Sequence, residues 1–573
     1  MKRINYIKSM LGLAMPFMML ASCKKSFLEK PPADAIVDAG FYQTDEQVMA
    51  GTASLYNRVW FDYNDKAYYN LGDFRSGTTY SAYNDRGNVL FNTTAENAEN
   101  TSSWRAFYNV VTQSNLTIVN INKYAGEAVS PAVKRMAIAE ARFMRALAYR
   151  YLVMNWGEVP IITNNIDLQS DPTAVRRNTI PSIWRFITRE MHAAAADLPA
   201  AAAQPGRISR WSAEGMLARF YLTRAGVEAT GGNRNQVFLD SAKYFAQRVI
   251  SNAGLQLLPK YEDLFRFPYD NNKESLFELQ WVYQPGSWGV QNSMPAYLNF
   301  SNDIANGDGW GGDKSATWWM LSQYEGIQAS GDTMLSGRTI DQRLKATYML
   351  PGFTYQEITQ TVPVTVNPSG KQKLVVPNTS GDVNFANVKK YVVGKAEDVG
   401  GSAAQQVYPN NTYMMRLAEM YLIYAEATLG NSPSTTEATA LQYYNAVHTR
   451  AGLPPRTLTD PVSGAATPLT WDDIFKERVL EFAMESMIWY DLVQLHYYNP
   501  QKAYNILNSQ DRGFFNIRTD VWPNPTTWTF KKTPWQTIDQ RKVNAGPGNF
   551  RLPIPSTEIS QAPNLKEPAV EYP

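Results

Sequence analysis

The sequence predicts a mostly α-helical protein in which long helices carry the core and a loop-rich central region adds a few short strands. Three observations predict this. Between Pro131 and Pro160, Met136, Phe143, Leu147 and Met154 recur at spacings of seven, four and seven, which sets them on one stripe of a helix. A second run, Tyr413–Gly430, is similarly long and apolar, so both need other helices to cover them. Residues 254–412 are instead dense in Gly, Pro, Asn and Asp, the residues that make turns.

The N-terminus sets the compartment. Lys2, Arg3 and Lys8 precede an apolar run, Met10–Leu20, and small residues lead to Cys23, the order of a secretory signal. Fifteen residues separate Lys8 from Lys24, short of the roughly 20 that span a bilayer. Cys23 is the single cysteine, so no internal disulfide forms. Leu20-Ala21-Ser22-Cys23 resembles a bacterial lipobox, which implies cleavage before Cys23 and lipid on its thiol. Residues 1–22 then read as a lipoprotein signal peptide and 23–40, with Pro31-Pro32, as a lipidated tether. Several acyl chains on one residue anchor stably where one binds only marginally.

Beyond the tether, Asp45–Trp60 reads as a helix with Val48, Leu55, Val59 and Trp60 on one side. Phe61–Thr101 reads as a long loop in which Tyr, Arg, Asp and Asn mix without periodicity, a length that points to function. Helices follow at Ser102–Tyr124, 131–156, Trp184–Leu198, Ser212–Gly226 and Val237–Asn252. Gly157 and Pro160 stop the second of these, Ser209 or Ser212 offers an N-cap, and Gly226 a C-cap. Ser275–Val282 reads as a strand, with β-like runs at Thr361–Val366 and Lys373–Val376. Helices return at 413–430, Glu437–Gly452 and Asp472–His496.

Several of these segments carry a family resemblance. Glu140–Ile162, Met415–Thr428, the Tyr444–Leu453 turn and the tail Phe550–Pro568 resemble, in order, segments of SusD/RagB-type outer-membrane nutrient-binding lipoproteins. Glu477, Arg478, Glu481, Glu485, Trp489, Asp491 and Leu492 match that family's C-terminal helix motif, with Met487-Ile488 where it usually has His-Arg. The resemblance runs from Cys23 to the C-terminus. It implies tetratricopeptide-like helical pairs forming a right-handed superhelical scaffold within a single large globular domain. An N-terminal region would span 41–260 and a C-terminal region 261–573, divided into loops 261–412, helices 413–500 and a cap 501–573. It also implies capture of an oligosaccharide outside the cell and its delivery to a SusC-type TonB-dependent transporter, without catalysis. Alternatives are a peptide-binding member of the same family and a secreted all-helical glycoside hydrolase.

Composition and motifs narrow the chemistry. A net charge of +2 gives no pull towards nucleic acid. His192, His448 and His496 have no metal-ligand spacing, and neither a metal nor a cofactor is expected. Gly307–Gly312 fits G-x-G-x-x-G, yet it follows an Asn/Ser/Asp-rich loop where a dinucleotide site needs a strand. The helical charges Glu140, Arg142, Arg416, Glu419, Glu426, Glu477 and Arg478 read as structural ion pairs. The 33 Tyr, 24 Phe and 15 Trp serve the core first, and the abundance of Tyr and Trp also suits a surface that stacks on ligands: sugar faces pack on such rings while amides, carboxylates and guanidinia meet their hydroxyls. Two loop segments supply both, Asp73–Asn88 and Tyr283–Trp319. From them the candidate ligand contacts are Arg75, Tyr80, Tyr83, Asn84, Trp288 and Trp310, with Gln291, Asn292 and Asp308 nearby.

Overall fold

The structure is a computed structural model and describes residues 38–82, 86–165, 171, 174–376, 386–513, 515–518, 527–532 and 542–573. The signal segment, Cys23 and most of the tether, together with Tyr83 and Asn84, lie outside the described residues. About half of the chain is helical and the strands are short, within one domain, as the sequence predicts. The helices of nine residues or more are α1 (Asp45–Ala53), α2 (Ala98–Tyr124), α3 (Pro131–Trp156), α4 (Ile180–Asp197), α5 (Arg210–Val227), α6 (Gln236–Asn252), α7 (Leu417–Leu429), α8 (Ala438–Arg450), α9 (Trp471–Phe482), α10 (Ile488–Tyr498) and α11 (Pro500–Ser509).

Each of α2 to α6 packs on the next, α6 packs on α7 and α7 on α8, so the series is continuous across the loop-rich insertion. At the centre lies α3, whose start and end follow local rules. Ser130 caps it by accepting from the Val133 amide, Pro131 fills the first turn, and Gly157 ends it at φ +76°. From Ala139 onward nearly every side chain of α3 is buried, which explains the alanines: they let α2 and α4 approach closely.

Six of the seven charged helical residues, Glu140, Arg416, Glu419, Glu426, Glu477 and Arg478, form structural ion pairs, Glu426 with Arg234 at 2.8 Å. Arg416 spans Glu274, Glu481 and Glu485 in the core, Glu477 pairs with Arg343 at 2.6 Å, and Glu140 with Arg207 at 2.8 Å. Glu419 pairs with Arg219, and Arg478 with Asp491 at 2.7 Å. Glu481 also receives Arg450, and these cations hold its carboxyl at about 2 against the cost of burial.

Four expectations are corrected. Residues 412–416 form a strand that pairs antiparallel with Ser275–Leu279, so the helix there begins at Leu417. The run 472–496 is two helices, because the connection between α9 and α10 turns sharply with Met484 at φ +64° and Ser486 at φ +56°. Buried Asp73 holds that turn, accepting from the Met484 amide at 2.7 Å and the Ser486 amide at 3.1 Å. Within the run 61–101, residues 61–82 are not a surface loop: helical turns at Tyr63–Ala67 and Asn70–Phe74 and a strand at Thr79–Ser81 bury Tyr63, Tyr68, Tyr69 and Phe74, while 91–97 are irregular and partly exposed. The hairpin strands run Thr354–Thr361 and Lys371–Val375, which leaves Val364 and Val366 exposed in the connection beside Pro363.

Candidate functional site

Of the described candidate residues, Trp288 and Trp310 reach the surface, at 58% and 41% exposure. Each sits on a loop held from beneath. Gly311 donates to the Asn299 carbonyl and Trp310 to that of Ala296 at 3.1 Å, so the 309–311 backbone lies directly on residues 296–302. A Cβ on Gly309 would come within 2.3 Å of Ser301 backbone, and one on Gly311 within 2.4 Å of Leu298 backbone. Gly309 and Gly311 are therefore there for close backbone approach, while Gly307 supplies a turn at φ +92°. The Trp288 loop closes through Val282 donating to the Val290 carbonyl at 3.0 Å, with Gly286 and Gly289 at positive φ.

The polar residues expected to read a ligand in these loops are their anchors. Gln291 Oε1 accepts from the Gly289 amide at 2.8 Å and the Val290 amide at 3.1 Å. Asn292 bonds Asn64 at 2.8 Å and the Asn410 carbonyl at 2.7 Å. Asp308 accepts from Tyr408 Oη at 2.9 Å and from the Gln406 amide. All three are fully buried, so they set the loops and leave the rings exposed.

Trp288 rests directly on the short helical segment 58–67, and Trp310 is joined to it through Tyr297. Phe61 meets Trp288 edge to face at 5.3 Å, and Arg58 Nη2 lies 3.5 Å from the Trp288 carbonyl. Trp310 packs on Tyr297 at 5.5 Å, whose ring lies 5.1 Å from Lys66 Nζ. Ser293 donates to Asp65 and closes the contact. Arg58, Asp62 and Lys66 are exposed at helical i, i+4 spacing, so they form the solvent edge of this segment. The supporting residues Phe61, Lys66 and Tyr297 went unrecognised in the sequence; the charged i, i+4 series from Arg58 is the signal that marks them.

Arg75 and Tyr80 are corrected: both are 2% exposed. The Arg75 guanidinium lies 4.3 Å over Trp489 and 5.1 Å from Phe91, and donates to Asn88 Oδ1 at 3.3 Å and to the Asn549 carbonyl. Burial pulls its pKa down to about 9. Tyr80 lies in the Thr79–Ser81 strand, opposite Ser315. Arg75 and Tyr80 thus pack the core that a surface-loop reading places outside.

Two neighbouring acids, Asp270 and Glu278, titrate above the usual carboxylate range. Burial first, then the neighbouring Glu278 carboxyl, raise Asp270 to about 7, against the Asn411 amide that it accepts at 3.0 Å. Burial likewise raises Glu278, which accepts from the Asn271 amide and from Asn411 Nδ2 at 2.9 Å. No group of three or more His, Cys, Asp and Glu among the described residues is placed to hold a metal ion.

This scaffold is that of a known class. The SusD family model matches residues 273–572, and a second model, described as starch-binding and associating with the outer membrane, matches residues 27–222. The chain belongs to the SusD family. A SusD-like protein from Bacteroides ovatus is 34% identical over 589 aligned positions, covering 100% of this chain and 99% of that protein. A crystal structure with a xylogluco-oligosaccharide is 32% identical, with a TM-score of 0.77 over 92% of this chain and 99% of the other. A laminarin-binding SusD-like protein shares the fold at 21% identity, with a TM-score of 0.62 over 91% of this chain and 99% of that one.

Proposed function

We propose that this protein captures an oligosaccharide at the outer surface of the cell and passes it to a SusC-type TonB-dependent transporter, making and breaking no bond. The observation that carries the reading is the pair of exposed tryptophans, Trp288 packed on Phe61 of the segment 58–67 and Trp310 joined to its other end through Tyr297. Flat rings facing solvent suit the C–H faces of sugars, and Arg58, Asp62 and Lys66 between them supply donors and acceptors for hydroxyls. Two glycan-linked neighbours support the ligand class: one structure at 32% identity was solved with a xylogluco-oligosaccharide, and a more distant one binds laminarin. Lipid on Cys23 would anchor the body to the outer membrane; among the described residues no helix is long and apolar enough to cross one. Against the cost of burial, arginines hold the carboxyls of Glu419, Glu477 and Glu481 below the usual range, which suits ion pairing and not proton donation.

Titration calorimetry of the mature chain against xylogluco-oligosaccharides, laminarin oligosaccharides and peptides tests this, with each mixture analysed for cleavage. Heat of binding from a glycan without new reducing ends is the expected result. Cleavage would replace the reading with a hydrolase, and binding of peptides alone would replace it with the peptide-binding alternative.

A further inference from the structure

A second cavity opens beside the tryptophan face. It lies between α2, the chain at 160–162 and the C-terminal helix Ser556–Gln561, with a volume of about 500 Å³. That places it within the roughly 300–1,000 Å³ of clefts that hold small ligands. We infer that this cavity is a separate subsite that takes a side-branch sugar of the glycan lying across Trp288 and Trp310; the inference rests on the glycan reading above.

Three observations carry it. The first is position. Asp62 lines the cavity and is also the middle residue of the exposed edge Arg58, Asp62, Lys66. Trp288 is attached at Arg58 and Phe61, and Trp310 at Lys66 through Tyr297. A chain spanning both rings therefore passes Asp62 near its midpoint, where the cavity opens.

The second is the fixed aromatic floor. Trp104 is buried and packs against Tyr108 at 4.9 Å, and Tyr108 Oη donates to the Pro160 carbonyl at 2.9 Å. The Tyr108 ring is thus held in place before any ligand arrives, and ligand binding orders it no further.

The third is the rim. Asn109 Nδ2 donates to Asp62 at 3.2 Å, and Arg105 pairs with Glu558 at 3.3 Å in an exposed ion pair. Donors and acceptors of both charge signs thus circle an apolar floor. A sugar presents hydroxyls to the remaining donor and acceptor sites of the rim and a C–H face to the floor, whereas an acyl chain or apolar peptide side chain would desolvate the rim and offer it no hydrogen bond in return. A linear glycan would bypass the cavity.

Paired titrations test this with a xylogluco-oligosaccharide and an unbranched β-glucan oligosaccharide of equal backbone length. The proteins are wild type, Thr112→Phe, Asn109→Ala and Trp288→Ala. Thr112 lines the cavity, so phenylalanine there intrudes into it and narrows it, while Asn109→Ala removes a rim donor without adding bulk. The wild type is expected to prefer the branched ligand about tenfold. Thr112→Phe is expected to abolish that preference with linear affinity unchanged, and Asn109→Ala to halve the preference or more. Trp288→Ala is expected to weaken both ligands together. Equal affinity of the wild type for the two ligands, or an intact preference in Thr112→Phe and Asn109→Ala, overturns the branch subsite while the effect of Trp288→Ala still stands for the tryptophan face. If Trp288→Ala changes neither ligand while Thr112→Phe weakens the branched one, the face fails and the cavity stands. No binding of either ligand to the wild type overturns both.

Discussion

Replacing Trp288 by alanine removes a ring whose contribution follows from its exposure. A tryptophan side chain offers up to about 150–250 Å². At 58% exposure, about 120 Å² of Trp288 is open, of which a sugar on one face covers about half. At about 25 cal/mol/Å² this is about 1.5 kcal/mol, or about tenfold in Kd. Trp310, at 41% exposure, scales to about 1 kcal/mol and about fivefold. If one ligand covers both rings, the double variant should lose about fiftyfold, the product of the two. Calorimetry on the single and double variants measures this, with melting temperatures as the folding control. The reasoning is refuted if Trp288→Ala binds within twofold of wild type, or if the double variant is no weaker than the poorer single.

Gly311→Ala should unseat the Trp310 loop, since its Cβ would come within 2.4 Å of Leu298 backbone; affinity should fall at least as far as in Trp310→Ala, with a melting-temperature drop that Trp310→Ala lacks. Asp73→Ala should destabilise the fold by about 2–4 kcal/mol, measured by urea unfolding, because two buried amides at 484 and 486 lose their acceptor. Glu481→Gln leaves Arg416 and Arg450 facing a neutral amide in the core and should cost about 3–5 kcal/mol; in the wild type this carboxylate's contribution is present above about pH 4.5 and fades as pH falls towards 2. Asp270 works in the opposite sense. Its folded pKa of about 7 lies above the unfolded 3.8, so the folded state binds the extra proton and stability falls as pH rises between those values. Asp270→Asn should flatten that decline and gain of the order of 2 kcal/mol over wild type at pH 8; an unchanged pH profile would refute it.

What was legible in the sequence was what local chemistry decides. The ends of α3 are readable because Pro131 and Gly157 act within their own turn. Trp288 and Trp310 stood out because glycines flank them, and those glycines do serve close backbone approach and tight turns. The misreadings share a different cause. The break between α9 and α10 is imposed by Asp73, more than four hundred residues earlier in the chain, and no local pattern announces it. The segment from Tyr63 to Tyr80 mixes polar and aromatic residues without period because it threads the core as short turns, where Arg75 stacks on Trp489 instead of meeting solvent. Gln291, Asn292 and Asp308 had the chemistry of ligand contacts and spend it on backbone amides and neighbouring side chains.

The central claim is that one glycan lies across Trp288 and Trp310, and a crystal structure of the protein soaked with a xylogluco-oligosaccharide tests it most directly. The account predicts sugar rings stacked on both tryptophans, with the intact backbone passing Asp62. Sugar bound elsewhere with both rings bare, or a ligand found cleaved, would contradict it.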